Sequence, residues 1–290
     1  MSGLIVLFKR ELKKWFGRRP VLFMSLVTPL IWIALFGKSF NLNALVSISA
    51  QSLIPPQLQG FIDPKVIEGM IKKAMEEQLK NIFGTTDYFT FFASGMLVAF
   101  SIFQGAFGGV GVVFDKRLGY MRRILVTPVR RSYIYLAKLF GTLTRISILS
   151  LILLAASIPL GFKFKPNLNI ADVIMPWVAI MLLSISILSI YMVIAFYTDN
   201  QEVLFAASNL INLPLMFASN AIFPLKQMPG WLQTIAEYNP VTHAAYIVRY
   251  HLIGSPIPNY WESIIYLVAS AVVLLAFSTY YSVKKMEKGV

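Results

Sequence analysis

The sequence predicts an all-α membrane protein: six transmembrane helices, an N-terminal amphipathic interfacial helix, and short re-entrant helices before the last span. Three observations lead there. The 290 residues are 57% hydrophobic and only 13% charged, with mean hydropathy +0.67; soluble domains carry roughly twice that charge fraction. The apolar residues gather into runs close to the roughly 20 residues that cross a bilayer. The basic excess, +13 overall, collects in three places: the N-terminus, an island at 115–138 and the C-terminal tail.

Within 1–19, Leu4, Leu7, Phe8, Leu12, Trp15 and Phe16 recur at helical spacing, while Lys9, Arg10, Lys13 and Lys14 fill the other face. That pattern suits a helix lying at the membrane surface, and Pro20 breaks the chain away from it. The long charged stretch, with no small-x-small cleavage site in 30–38, argues against a cleaved signal peptide. Spans are expected over 21–36, 88–113, 139–160, 173–197, 203–218 and 260–281. Lipid offers no partner to backbone polar groups, so each must be a helix.

Two outer segments are too long for simple turns. In the external loop 41–87, Pro55-Pro56 punctuate, and Asp63 and Pro64 read as the cap and first residue of a helix. Its apolar stripe is Ile67, Met70, Ile71, Ala74, Met75, Leu79 and Ile82. The region 219–259 is interrupted by Pro224, Pro229, Pro240, Pro256 and Pro258. It is apolar enough to dip into the membrane as short helices, which is tolerated where protein or a water-filled cavity covers them.

The island at 115–138, within a cytoplasmic loop expected over 114–138, orients the chain. Lys116, Arg117, Arg122, Arg123, Arg130, Arg131 and Lys138 oppose one acid, Asp115, and short Lys/Arg-rich loops stay cytoplasmic. An even number of spans then places both termini inside, with Lys284, Lys285 and Lys288 on the same side. Topology and anionic lipid account for the positive charge; no nucleic-acid partner is expected. Leu118, Met121, Ile124 and Leu125 form a short apolar ridge flanked by Arg122 and Arg123, with Pro128 ending the helix.

The chemistry that is missing narrows the function. With no cysteine there is no disulfide framework, thiolate metal site or thiol nucleophile. The spans carry essentially no acids, against a proton-driven transporter or an intramembrane protease. Gly37-Lys38-Ser39 lacks the earlier glycine of a phosphate-binding loop, since position 32 is Trp. His243 and His251 are too far apart for a short-spaced metal pair, so no metal and no catalytic residue is expected. Arg145, the clear charge within a span, either snorkels to the interface or faces a pathway. Gly105, Gly108, Gly109 and Gly111 allow close helix approach, within the chain or between subunits. Asn209, Asn212 and Asn220 either hydrogen-bond between helices or line a polar path.

Two segments carry a family resemblance. The first is the island: Asp115, Gly119, Arg122, Leu125, Thr127-Pro128, a basic residue and Lys138. The second is Phe223-Pro224, Met228-Pro229, Trp231-Leu232, Asn239-Pro240, Arg249 and Gly254, with Tyr88, Phe91 and Gly95 earlier. In order and spacing they resemble ABC-2 type transport permeases, the membrane subunits of ATP-binding cassette exporters. Asp115 stands where Glu is usual, and the 41–87 loop is long for the family.

The resemblance implies a chain with no catalysis of its own. It implies partners: an ABC ATPase subunit that holds ATP and Mg, a second permease chain, either identical or a sibling, and membrane lipids. It implies a prokaryotic plasma membrane, and a coupling role for Asp115, Leu118, Gly119, Met121, Arg122, Leu125, Thr127 and Pro128. Asn209, Asn212, Asn220, Asn239, Pro240 and Arg249 would serve the pathway or its outer gate. Two other readings stay open: a non-transporting membrane scaffold for a cytoplasmic ATPase, and a secondary transporter or channel.

Overall fold

The computed structural model describes residues 3–17, 19–39 and 64–288. Among them there is no strand. The helices are α1 (Gly3–Phe16), α2 (Arg19–Ser39), α3 (Pro64–Phe83), α4 (Tyr88–Arg117), α5 (Tyr120–Leu125) and α6 (Arg131–Ser157). Then follow α7 (Ile170–Tyr197), α8 (Gln201–Phe217), α9 (Gly230–Glu237), α10 (Pro240–Ile253) and α11 (Tyr260–Glu287), with a 3₁₀ turn at Leu225–Gln227.

Four of these are long and apolar enough to cross a membrane: α4, α6, α7 and α11. The apolar stretch of α2, Leu22–Gly37, is shorter, and α8 has 17 residues. Length and composition therefore support four of the six expected spans outright. The two shorter helices each carry an internal proline, Pro29 and Pro214, which costs a backbone hydrogen bond and bends a helix.

The core is built around α4. From Phe89 to Val113 its residues are buried except Phe103, Phe107 and Gly111. These three recur every fourth residue, so they mark a single uncovered face. The rest of α4 is sheathed by α7, α10, α6, α2 and α8. Between helices in lipid there is little hydrophobic gain, and close van der Waals packing through small residues takes its place. The glycines serve that purpose within the chain. A Cβ on Gly108 would lie 2.7 Å from Leu188 and Thr142, and one on Gly109 would lie 3.1 Å from the Tyr191 carbonyl.

Helix ends follow from the sequence. Asp87 caps α4, accepting from the Thr90 amide at 3.1 Å. Asn169 and Asp172 form a reciprocal capping box on α7. Asn239 caps α10 with Pro240 in its first turn, and Gly254 ends it at φ 73°. The expected helix in the outer loop runs from Pro64 to Phe83; its proposed cap, Asp63, lies outside the described residues. Met75, Leu79 and Ile82 are half-buried, but Met70 is 68% exposed. This helix touches the bundle mainly through its end, where Phe83 meets Tyr88 and Phe91 edge-on.

In the region before the last helix, α10 belongs to the core, whereas α9 buries only Ala236. The helix α10 packs on α4, α7 and α11, and ten of its 14 residues are buried. Its backbone sits deep because neighbouring helices cover it, the condition for short helices inside a membrane protein.

Candidate functional site

The last turn of α4 is the junction of the basic end. Asp115 is buried and accepts from both terminal nitrogens of Arg10 (3.1 and 3.2 Å), from Lys14 (2.8 Å) and from the buried Lys138. Glu11 takes a second bond from Lys138, at 3.3 Å. Three cations from α1 and α6 thus share one carboxylate on α4. Burial pushes the Lys14 ammonium pKa down, and the nearby Lys138 charge adds to that, against the pull of Asp115. Arg10 also stacks 3.3 Å from the centre of the Tyr120 ring, which brings α5 into the same knot.

The next two residues fasten α7. The Lys116 ammonium donates to the carbonyls of Phe196 (3.0 Å) and Thr198 (2.9 Å), and Arg117 donates to the Asp199 carbonyl (2.7 Å). A helix leaves its last carbonyls unpaired and partly negative, so a cation there is favoured. Lys116 also pairs with the Asp199 carboxylate at 2.7 Å. That hydrogen bond and charge hold Asp199 below the usual carboxylate range.

The helix α5 starts at a forced turn. Gly119 has φ 68°, a left-handed conformation that side chains with a Cβ resist. Thr127 Oγ1 donates to the Ile124 carbonyl at 2.5 Å, so the helix stops before Pro128. The expected apolar ridge is split. Met121 is fully buried and Ile124 nearly so, both in the core cluster with Val112, Val113 and Ile134. Leu125 is half-buried. Leu118 (70%) and Val126 (86%) are exposed, together with Arg122, Arg123, Thr127 and Pro128. Met121 and Asp115 are therefore fastenings of this element and offer no surface to a partner. Val126, just past the end of α5, is the most exposed apolar side chain here, and no periodicity in the sequence marks it.

At the opposite end, Arg249 is a buried clasp. Its guanidinium donates to Ser94 Oγ (3.2 Å) and to the carbonyls of Phe91 (3.1 Å), Ala221 (2.7 Å) and Asn220, and lies 3.5 Å from the centre of the Phe91 ring. Four bonds join α4, α10 and the chain at 220–221. Gly95 is forced by this approach, since a Cβ there would lie 1.6 Å from the Ala221 carbonyl oxygen. The Asn239 side chain donates to the carbonyls of Leu215 (2.9 Å) and Ala218 (2.6 Å) while capping α10. Nearby, Asp172 lies 2.7 Å from the Lys165 ammonium and 2.8 Å from His251 Nδ1. The His251 Nε2 lies 3.0 Å from the Tyr260 hydroxyl. His243 stacks on Tyr266 and lies 3.1 Å from Ser263 Oγ. No local spacing in the sequence signals these partners.

The three asparagines proposed for a pathway take different places. Asn212 is fully buried, accepting from the Tyr191 hydroxyl (2.5 Å) and donating to Ser208 Oγ (3.0 Å). Asn220 is held by Thr242 and Arg249 through its backbone. Asn209 is exposed on α8. None lines a cavity of about 670 Å³ that lies between α2, α4 and α8 among the described residues. Its walls include Met24 and Trp32 from α2, Phe103 and Phe107 from the uncovered face of α4, and Leu213 and Phe217 from α8. Arg145 of α6 and Gln104 line it as well, and the Arg145 guanidinium donates to Gln104 Oε1.

Residues 2–253 match the family model described as ABC-2 type transporter. A protein named as transport permease ycf38, from Cyanophora paradoxa, is 30% identical over 259 residues, covering 86% of this chain and 74% of its own. Daunorubicin resistance ABC transporter permease protein DrrB1, from Streptomyces coeruleorubidus, is 24% identical across 67% of each chain. Nodulation protein J from Neorhizobium galegae is 22% identical across 79% of this chain and 83% of its own.

Proposed function

This chain belongs to the ABC-2 type transporter family, and we propose that it forms the substrate path of an exporter and draws its movement from a separate ATP-binding subunit. It is a multi-pass membrane protein and a permease subunit. In this reading ATP and magnesium are held by the partner, both termini are cytoplasmic, and a second permease chain completes the path. The drug-resistance permease among its relatives favours export.

One observation carries the coupling role: α5 is exposed on its outer side and rigidly tied behind. Arg10, Asp115 and Lys138 bind α1, α4 and α6 into one body, and the buried Met121 seats α5 on it. A push on Leu118, Arg122 and Val126 would move α4 as a unit. The same helix presents Phe103 and Phe107 to the cavity, so nucleotide-driven docking below would alter the path above. Such coupling is reciprocal: cargo that favours one state must change nucleotide affinity.

The test is a double substitution, Leu118→Asp with Val126→Asp, in the full-length chain co-expressed with an ATP-binding cassette subunit. Both positions are exposed, so insertion and folding should persist while the ATPase no longer co-purifies. Undiminished co-purification would overturn the coupling assignment.

A further inference from the structure

We propose that the cavity between α2, α4 and α8 takes an amphiphile with an anionic headgroup, and that Arg145 is its counter-ion. This rests on the reading of the cavity as the substrate site and adds the chemical class of its occupant. Arg145 is the only charged side chain among the residues lining it. Its guanidinium donates to Gln104 Oε1 at 2.5 Å and lies 5.4 Å from the centre of the Phe107 ring. Its Nε is buried with no hydrogen-bond partner, and among the described residues no carboxylate pairs with it.

An unpaired guanidinium facing apolar walls is costly, because burying a charge requires a partner. Nε is enclosed by protein and left unpaired, and one terminal nitrogen is held only by the neutral Gln104 amide. No neighbouring group among the described residues therefore balances the positive charge that lines the cavity. An anionic headgroup lying there would neutralise the guanidinium. The rest of the space suits its tail: Met24, Trp32, Phe103, Leu213 and Phe217 offer no charge and almost no hydrogen-bonding capacity. A cationic amphiphile would meet an unscreened like charge.

Trp32 reports occupancy directly, since it lines the cavity and stacks on Phe36 with centroids 4.9 Å apart. The full-length protein in phosphatidylcholine nanodiscs at alkaline pH is titrated with 9,10-dibromostearate and with its methyl ester, whose bromines quench tryptophan. A Trp32→Phe protein supplies the signal of the other tryptophans for subtraction. The acid should quench Trp32 at about tenfold lower concentration in the bilayer than the ester, as expected for a charge-assisted hydrogen bond. Arg145→Gln should abolish that preference and leave ester quenching unchanged. Equal quenching by acid and ester in the wild-type chain would overturn the anionic class and leave the cavity as a ligand site. Quenching of Trp32 by neither probe would overturn both readings, as would be seen if a second copy of the chain fills the cavity. The wild-type comparison decides even if the Arg145 variant fails to fold.

Discussion

Single side chains decide whether the two ends of this bundle hold. Asp115 faces three cations, of which Lys138 is as buried as the carboxylate itself, at 4% and 2% side-chain exposure. Removing the acid leaves a buried ammonium whose remaining carboxylate contact is the 3.3 Å pair with Glu11. Breaking a buried pair from one side costs about 3 kcal/mol or more. Asp115→Asn should therefore lower the thermal midpoint of the detergent-solubilised protein by several degrees and loosen α1. An unchanged midpoint would show that Arg10, Lys14 and Lys138 are held by other contacts. Arg249 is different in kind, since its partners are a hydroxyl and three carbonyls. Hydrogen bonds and the Phe91 ring replace a counter-ion there.

Elements in this fold are positioned by their ends. Asn239 caps α10 and at the same time holds the carbonyls of Leu215 and Ala218 at the end of α8. Loss of an N-cap costs about 1 kcal/mol, and two carbonyls would lose their side-chain donor as well. Asn239→Ala should speed amide hydrogen exchange in the first turn of α10 while leaving α7 unaffected. Equal protection in both proteins would mean that packing alone holds α10. At α5 the same logic separates seat from surface: Met121 anchors the helix, whereas Leu118 before it and Val126 after it are exposed.

At the scale of the whole molecule, one face of the central helix is left open and a cavity forms against it. The chain has no cysteine, so an introduced thiol is unique. Ser25→Cys, in the cavity wall, should react with a water-soluble maleimide in membranes. Ser184→Cys, fully buried on α7, should not. Equally slow reaction at both sites would mean that the cavity is closed to water.

Four of the six expected spans and the amphipathic first helix were legible in the sequence because each rests on local periodicity; the one helix cap read from it, Asp63, lies outside the described residues. The caps formed by Asp87, Asn169, Asn239 and Gly254 also act within a few positions of themselves, but the structure identified them. The island's charge and its proline-ended helix were legible because they too are local. Tertiary structure alone decided which side of that helix is covered, because Met121 and Leu118 are equally apolar and only packing on Val113 and Ile134 distinguishes them. It also decided that Asp115 meets Arg10 across 105 positions and that Arg249 meets Ser94 across 155. The cavity beside Arg145 belongs to that second class: residues from four helices far apart in sequence enclose it, and a void between helices has no residue of its own to announce it.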